Sequence, residues 1–118
     1  MLSGLDGTCY IDDEARILQK KLVHLSDNTP SKCKSECNKL GYSLAGVQFG
    51  KQCFCGNNVA SRAKIAPSND CNMRCPGDGT VFCGGSWRMN IYSKYEGEIN
   101  SLNLKRRTLF SQLEDNEV

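Results

Sequence analysis

The sequence has no run approaching the roughly 18 apolar residues that a membrane-spanning helix needs. Its opening "MLSGLDGT" has neither the basic start nor the apolar stretch of a secretory leader. The expectation is a mature or excised ectodomain, secreted or extracellular, with no membrane span in this chain. Charge of one sign is also scarce: 15 Lys+Arg against 13 Asp+Glu leave a formal +2, too little to argue for nucleic acid as a partner. No Asn-x-Ser/Thr acceptor occurs, so N-glycans are not expected. There is one histidine and no Cys-x-x-Cys pair, which removes the usual spacing of structural zinc sites and the thioredoxin-type redox motif. His24, beside "LV", reads as an ordinary strand or surface residue. Asp12, Asp13 and Glu14 are adjacent and do not point one way, so they read as a polar turn paired with Arg16 or Arg88 rather than as a calcium site or an acid/base pair. Nothing assembles a nucleophile, a base and an oxyanion donor; no catalysis, cofactor or metal is expected.

What the chain does have is cysteine. Cys9, Cys33, Cys37, Cys53, Cys55, Cys71, Cys75 and Cys83 make an even set of 8 in 118 residues. That density reads as a disulfide framework formed in an oxidising compartment. In a domain whose core is small, each bridge typically contributes ~2 to 4 kcal/mol.

Residues 8 to 11, "TCYI", and 20 to 25, "KKLVHL", read as short strands. A helix is predicted over 30–40: Thr29 can cap it, Pro30 suits the first helical position, and Gly41 suits the left-handed residue after the last turn. Its Cys33, Cys37 and Leu40 share one face. Residues 43 to 49 and 52 to 55 flank Gly50-Lys51, the signal of a two-residue type II′ hairpin. That turn sets Gln48 opposite Cys53 and Gly46 opposite Cys55, with Ala45, Val47, Phe49 and Phe54 on the other face. The helical and the strand cysteine pairs are each spaced by roughly 6 Å, so a helix lying on the sheet can be stapled twice. Cys33–Cys55 with Cys37–Cys53 is the favoured pairing, and the swapped one stays open. Residues 56 to 82 are rich in Gly, Asn, Pro and Ser and read as long loops, closed locally by Cys71–Cys75. "RMNIY", 88 to 92, alternates as a closing strand, and Cys9–Cys83 then brings the two ends of the module together. Past Tyr92, Ile99, Leu102, Leu109 and Leu113 mark a C-terminal helical stripe with "KRR" as solvated charge.

The segments "TCYIDDEARIL", "CKSECNKLGYSLAGVQFGKQCFCGNN" and "NDCNMRCPGDGTVFCGGSWRMNIY" resemble the successive signatures of the WSC domain, the cysteine-rich extracellular module of fungal cell-wall sensors, also found in carbohydrate-active enzymes and Kremen receptors. The resemblance divides the chain into an N-terminal extension, 1–6, the domain, 7–92, and a C-terminal extension, 93–118. It implies an α+β fold: a small disulfide-rich PAN/apple-like domain, an antiparallel sheet with one helix packed across it. It also implies carbohydrate binding, with β-glucan or a related polysaccharide as ligand, while animal members put a protein partner beside it. Sugar binding needs flat apolar faces for pyranose rings, bordered by polar groups for hydroxyls. The aromatic candidates are Tyr42, Phe49, Trp87 and Tyr92, with Gln48, Asn57, Asp78 and Arg88 as polar neighbours. Trp87, on a loop after Gly-Gly-Ser, has the best claim to exposure, whereas Phe54 and Phe82 abut cysteines and are assigned to the core.

Overall fold

A computed structural model describes residues 5–93. Helix α1 (Pro30–Lys39) starts and stops where its punctuation places it: the Thr29 side chain accepts from the Lys32 N–H, Pro30 opens the first turn, and Gly41 beyond the end is left-handed at φ +89°. The strands are β1 (Asp6–Ile11), β2 (Lys21–His24), β3 (Leu44–Gln48), β4 (Gln52–Gly56), β5 (Lys64–Ile65), β6 (Arg74–Cys75), β7 (Asp78–Phe82) and β8 (Arg88–Ser93). Six of them form one antiparallel sheet in the order β2-β4-β3-β8-β1-β5, and β6 pairs with β7 in a separate ribbon. The α+β, disulfide-rich architecture is the expected one. The C-terminal helix expected past Tyr92 lies outside the described residues, apart from Ser93, which ends β8.

The central strand β3 is buried along its whole length, because each face of the sheet carries a layer. On one face α1 packs through Cys33 and Cys37 against Ala45, Val47, Cys53 and Cys55, with Cys75 and Cys83 completing the cluster. On the other, Ile17 and Leu18 lie across Leu44, Phe54, Met89 and Ile91. A small third cluster joins Cys9, Ala66 and Cys71.

The hairpin register differs from the expected one by a residue. Gln48 faces Gln52, Val47 faces Cys53 and Ala45 faces Cys55, because the loop has three residues, with Phe49 and Gly50 both left-handed at φ +53° and +79°. A one-residue slip moves every side chain to the opposite face. Ala45 and Val47 therefore sit with the cysteines, and Phe54 turns to the aliphatic side. The longer tip is held from outside the hairpin. Fully buried Asn28 donates to the Gly50 carbonyl at 2.8 Å, and the Gly50 N–H donates to the Cys83 carbonyl at 2.9 Å.

All four disulfide pairings differ from those favoured by spacing. The double staple runs Cys33–Cys53 and Cys37–Cys55, the swapped arrangement. The short link from α1 to β3 makes the helix antiparallel to β3, hence parallel to β4, so the earlier cysteine of one meets the earlier cysteine of the other. Cys9–Cys71 replaces Cys9–Cys83, because Cys9 on β1 faces Ala66 and Cys71, whereas Cys83 lies against β3 on the helix side. Cys75–Cys83 closes the β6–β7 ribbon in place of a local Cys71–Cys75 bridge. Residues 56 to 82 are correspondingly more regular than a run of loops, holding β5, β6, β7 and a short 3-10 turn at Ser68–Asp70. Leu40, expected on the cysteine face, ends the helix half-exposed.

Candidate functional site at one end of the sheet

Register brings three loops together. Gln48 ends β3 opposite Met89, and Arg88 opens β8 opposite Ile11, which ends β1. The loops 49–51, 84–87 and 12–16 therefore leave the sheet at the same end. Residues 70–74 pack beside them: the Met73 N–H donates to the Gly84 carbonyl at 2.9 Å and its carbonyl accepts from the Cys83 N–H at 2.7 Å. Gly84 is required there, since it is left-handed and a Cβ would run into the Val47 and Arg88 carbonyls.

The left-handed non-glycine residues of the described chain are Arg16, Phe49 and Trp87, at φ +65°, +53° and +56°. All three lie in these loops. For an L-residue that conformation costs about 1 to 2 kcal/mol. Phe49 and Trp87 are nonetheless 48% and 44% exposed. Trp87 is fixed from several sides. Its carbonyl accepts from the Asp12 N–H and from the Arg88 guanidinium, both at 3.0 Å, and the Arg16 guanidinium carbon lies 4.9 Å from its ring centroid and 5.2 Å from that of Phe54. Buried Asp12 organises this group: one carboxylate oxygen accepts from Arg16 Nη1 at 2.9 Å and the other from the Ile17 N–H at 3.0 Å. Arg88 in turn donates from Nε to Asp70 at 2.8 Å. Arg62 clamps Asp13 with two bonds of 2.9 and 2.8 Å, and that guanidinium holds the Asp13 carboxyl below its ordinary pKa. The polar turn at 12–14 is ion-paired through Arg16 as expected, while its second cation is Arg62 and not Arg88, which pairs with Asp70 instead.

There is a second guanidinium–aromatic stack. In the β6–β7 ribbon Arg74 pairs with Phe82, its guanidinium carbon 5.0 Å from the ring centroid and its Nη1 donating to the Gly79 carbonyl at 2.8 Å. Phe82, expected in the core, is 43% exposed. Val81 is exposed as well, because β7 belongs to the separate two-stranded ribbon and not to the main sheet.

Of the residues expected to bind sugar, Phe49, Trp87 and Arg88 lie at this end of the sheet, with Arg88 bonded to the Trp87 carbonyl. Asp78 is exposed on the neighbouring ribbon, where the Thr80 hydroxyl and N–H hold its carboxyl below its ordinary pKa. Gln48 is buried among the sheet strands and its amide oxygen meets no donor among the described residues. Tyr42 and Tyr92 are half-buried against the stapled cluster, and burial pushes the Tyr92 hydroxyl pKa up. Asn57 is exposed at the opposite end of the sheet, where its side-chain oxygen accepts from the Ser43 N–H and hydroxyl. A shallow cavity of about 220 Å³ also opens at that far end, lined by Ile17, Gln19, Lys20, Asn58, Val59 and Ala60, with no aromatic ring in its wall. Arg74 is not among the sequence candidates, and no alternation marks Phe82 as outward, since β7 is exposed at all of its positions.

The sulfurs of Cys33, Cys37 and Cys53 lie within 4.8 Å of one another. Each is bonded in a disulfide, so the cluster has no thiolate to offer a metal. His24 is exposed on β2.

A family model for the WSC domain matches residues 7–85. The chain belongs to the WSC family. Among similar proteins, Xylosyltransferase oxt of Drosophila melanogaster is 40% identical over 86 residues, covering 71% of this chain and 10% of that protein. A WSC domain-containing protein of Arthroderma benhamiae is 40% identical over 88 residues, 73% of this chain and 10% of its own. Kremen protein 2 of Homo sapiens is 41% identical over 61 residues, 51% of this chain and 13% of its own. The chain thus spans about a tenth of the length of these relatives, which carry the WSC domain as one small part. Among the described residues of this WSC domain, no helix is long and apolar enough to cross a membrane.

Proposed function

We propose that this WSC domain is a non-catalytic, extracellular carbohydrate-binding module, and that it takes polysaccharide at the end of the sheet that carries Trp87 and Phe49. One observation carries the reading: both rings are half-exposed on residues held left-handed, at φ +56° and +53°. Folding alone would favour glycine or asparagine at such positions, and would favour a ring that is not left in water. Backbone strain retained beneath an exposed ring is the pattern of a site used for something other than stability. The rings supply apolar faces for the C–H side of pyranoses, and Arg88 with Asp70 supplies hydrogen-bonding groups at their border. Four disulfides fit the oxidising setting in which such a module would work.

The surface is open, so affinity per site is expected to be weak. The oxidised protein should be retained on at least one of insoluble β-glucan, chitin, cellulose and xylan. Trp87→Ala should weaken that retention about tenfold, equivalent to about 1.4 kcal/mol, with an unchanged circular dichroism spectrum. No retention on any of the four, with Trp87→Ala indistinguishable from the parent, would overturn the reading in favour of a protein-interaction module. Loss of retention in Asn58→Ala but not in Trp87→Ala would move the site to the far-end cavity.

A further inference from the structure

At the aromatic end of the sheet several cations are neutralised. Arg16 is paired with Asp12, Arg62 with Asp13 and Arg88 with Asp70. Lys64, on edge strand β5 opposite Ile11, is exposed and pairs with no carboxylate among the described residues, and the same holds of two cations nearer the hairpin tip, Arg74 and Lys51. These last two belong to touching segments. The Gly50 N–H bonds the Cys83 carbonyl, and a Cβ on Gly50 would stand 3.7 Å from the Arg74 carbonyl. The exposed Phe82 ring lies under the Arg74 guanidinium, and Phe49, also exposed, precedes Lys51 by two residues in the same hairpin tip. The nearby acid, Asp78, has Oδ1 occupied by the Thr80 N–H and hydroxyl.

We infer that the polysaccharide this module prefers is acidic, with a carboxylate or sulfate group of a sugar seated between Arg74 and Lys51 and its ring against Phe82 or Phe49. The inference rests on the carbohydrate-binding reading and narrows it. A guanidinium already oriented by the Gly79 carbonyl and by the Phe82 ring is pre-organised for an oxyanion, and unpaired cations beside apolar rings match an anionic pyranose better than a neutral one. Being exposed, the charge contact should be salt-sensitive.

The test uses matched pairs on the full oxidised chain: polygalacturonate against its methyl ester for the carboxylate, and dextran sulfate against dextran for the sulfate. The expected result is that one acidic member binds at least about fivefold tighter than its neutral partner in dilute buffer, a preference that shrinks in strong salt. The Lys51→Gln/Arg74→Gln double variant should lose the preference while keeping any neutral binding. The Lys21→Gln/Lys34→Gln double variant, which removes the same charge elsewhere, should keep it. Equal binding of acidic and neutral members, or equal loss in both double variants, overturns the inference while the carbohydrate reading stands. Failure to bind any of these polymers, or any neutral glycan, brings down the carbohydrate reading itself. Which matched pair shows the preference decides between uronate and sulfate.

Discussion

The helix side of the sheet and its loop-bearing end are held together by different means. On the helix side Cys33, Cys37, Cys53 and Cys55 are buried within a cluster that contains Ala45 and Val47, and two disulfides cross the layer. The loop end carries three left-handed residues, exposed rings and surface ion pairs, with Arg16 stacked on Trp87. Covalent links and dry packing are worth several kcal/mol each, whereas exposed ion pairs are worth about 0 to 1 kcal/mol. The comparison teaches that the domain places its stability in the layer away from the site. The loop end can then hold strained, half-exposed aromatics without endangering the fold.

The largest effect should come from the staples. Cys33–Cys53 and Cys37–Cys55 close overlapping loops with sequence separations of 20 and 18. Each therefore keeps most of the closure entropy when the other is lost. Replacing Cys37 and Cys55 by Ala should cost less than the ~3 kcal/mol of an isolated loop of that length. Replacing all four should cost more than twice as much as the single pair and abolish a cooperative thermal transition, given a total stability of about 5 to 15 kcal/mol. Simple additivity of the two pairs in urea unfolding would contradict the overlapping-loop account.

The aliphatic face should answer less severely. Leu18 is fully buried, and its methyl groups lie over Gly46 and Gly56. Leu18→Ala leaves a cavity between the 17–18 segment and the sheet, expected to cost about 2 to 4 kcal/mol in urea unfolding. The loop-end surface variants Lys51→Gln and Arg74→Gln should stay within about 0.5 kcal/mol of the parent. A Leu18→Ala cost as small as theirs would erase the contrast between scaffold and site.

Much of this scaffold was legible in the chain. Thr29, Pro30 and Gly41 mark the helix, and the even cysteine count marks the bridges, because capping and disulfide chemistry are local or compositional signals. The register of β3 on β4 was not legible, because the three-residue tip is fixed by Asn28 and Cys83 from distant segments. The staple pairing was within reach: the short α1–β3 link sets the helix direction and hence which cysteines meet. At the site, Trp87 was readable from its glycine-rich approach. Its support by Asp12 and Arg16, and the grouping of Arg74 with Phe82, depend on long-range packing that spacing does not encode.

The smallest effect gives the finest test of strain beneath an exposed ring. Phe49→Ala and Phe49→Gly both remove the ring, but only glycine accepts φ +53° without penalty. Glycine also loses about 0.5 to 1 kcal/mol through the greater freedom of its unfolded chain, which offsets part of the relief. The glycine variant should therefore be more stable than the alanine variant by up to about 1 kcal/mol, read from urea midpoints at equal m-values. Both should bind polysaccharide equally poorly, since both lack the aromatic face. An alanine variant more stable than the glycine one would mean that the hairpin tip relaxes out of the left-handed region once the ring is gone. Unchanged binding in both would remove Phe49 from the surface and leave recognition to Trp87 and its guanidinium neighbours.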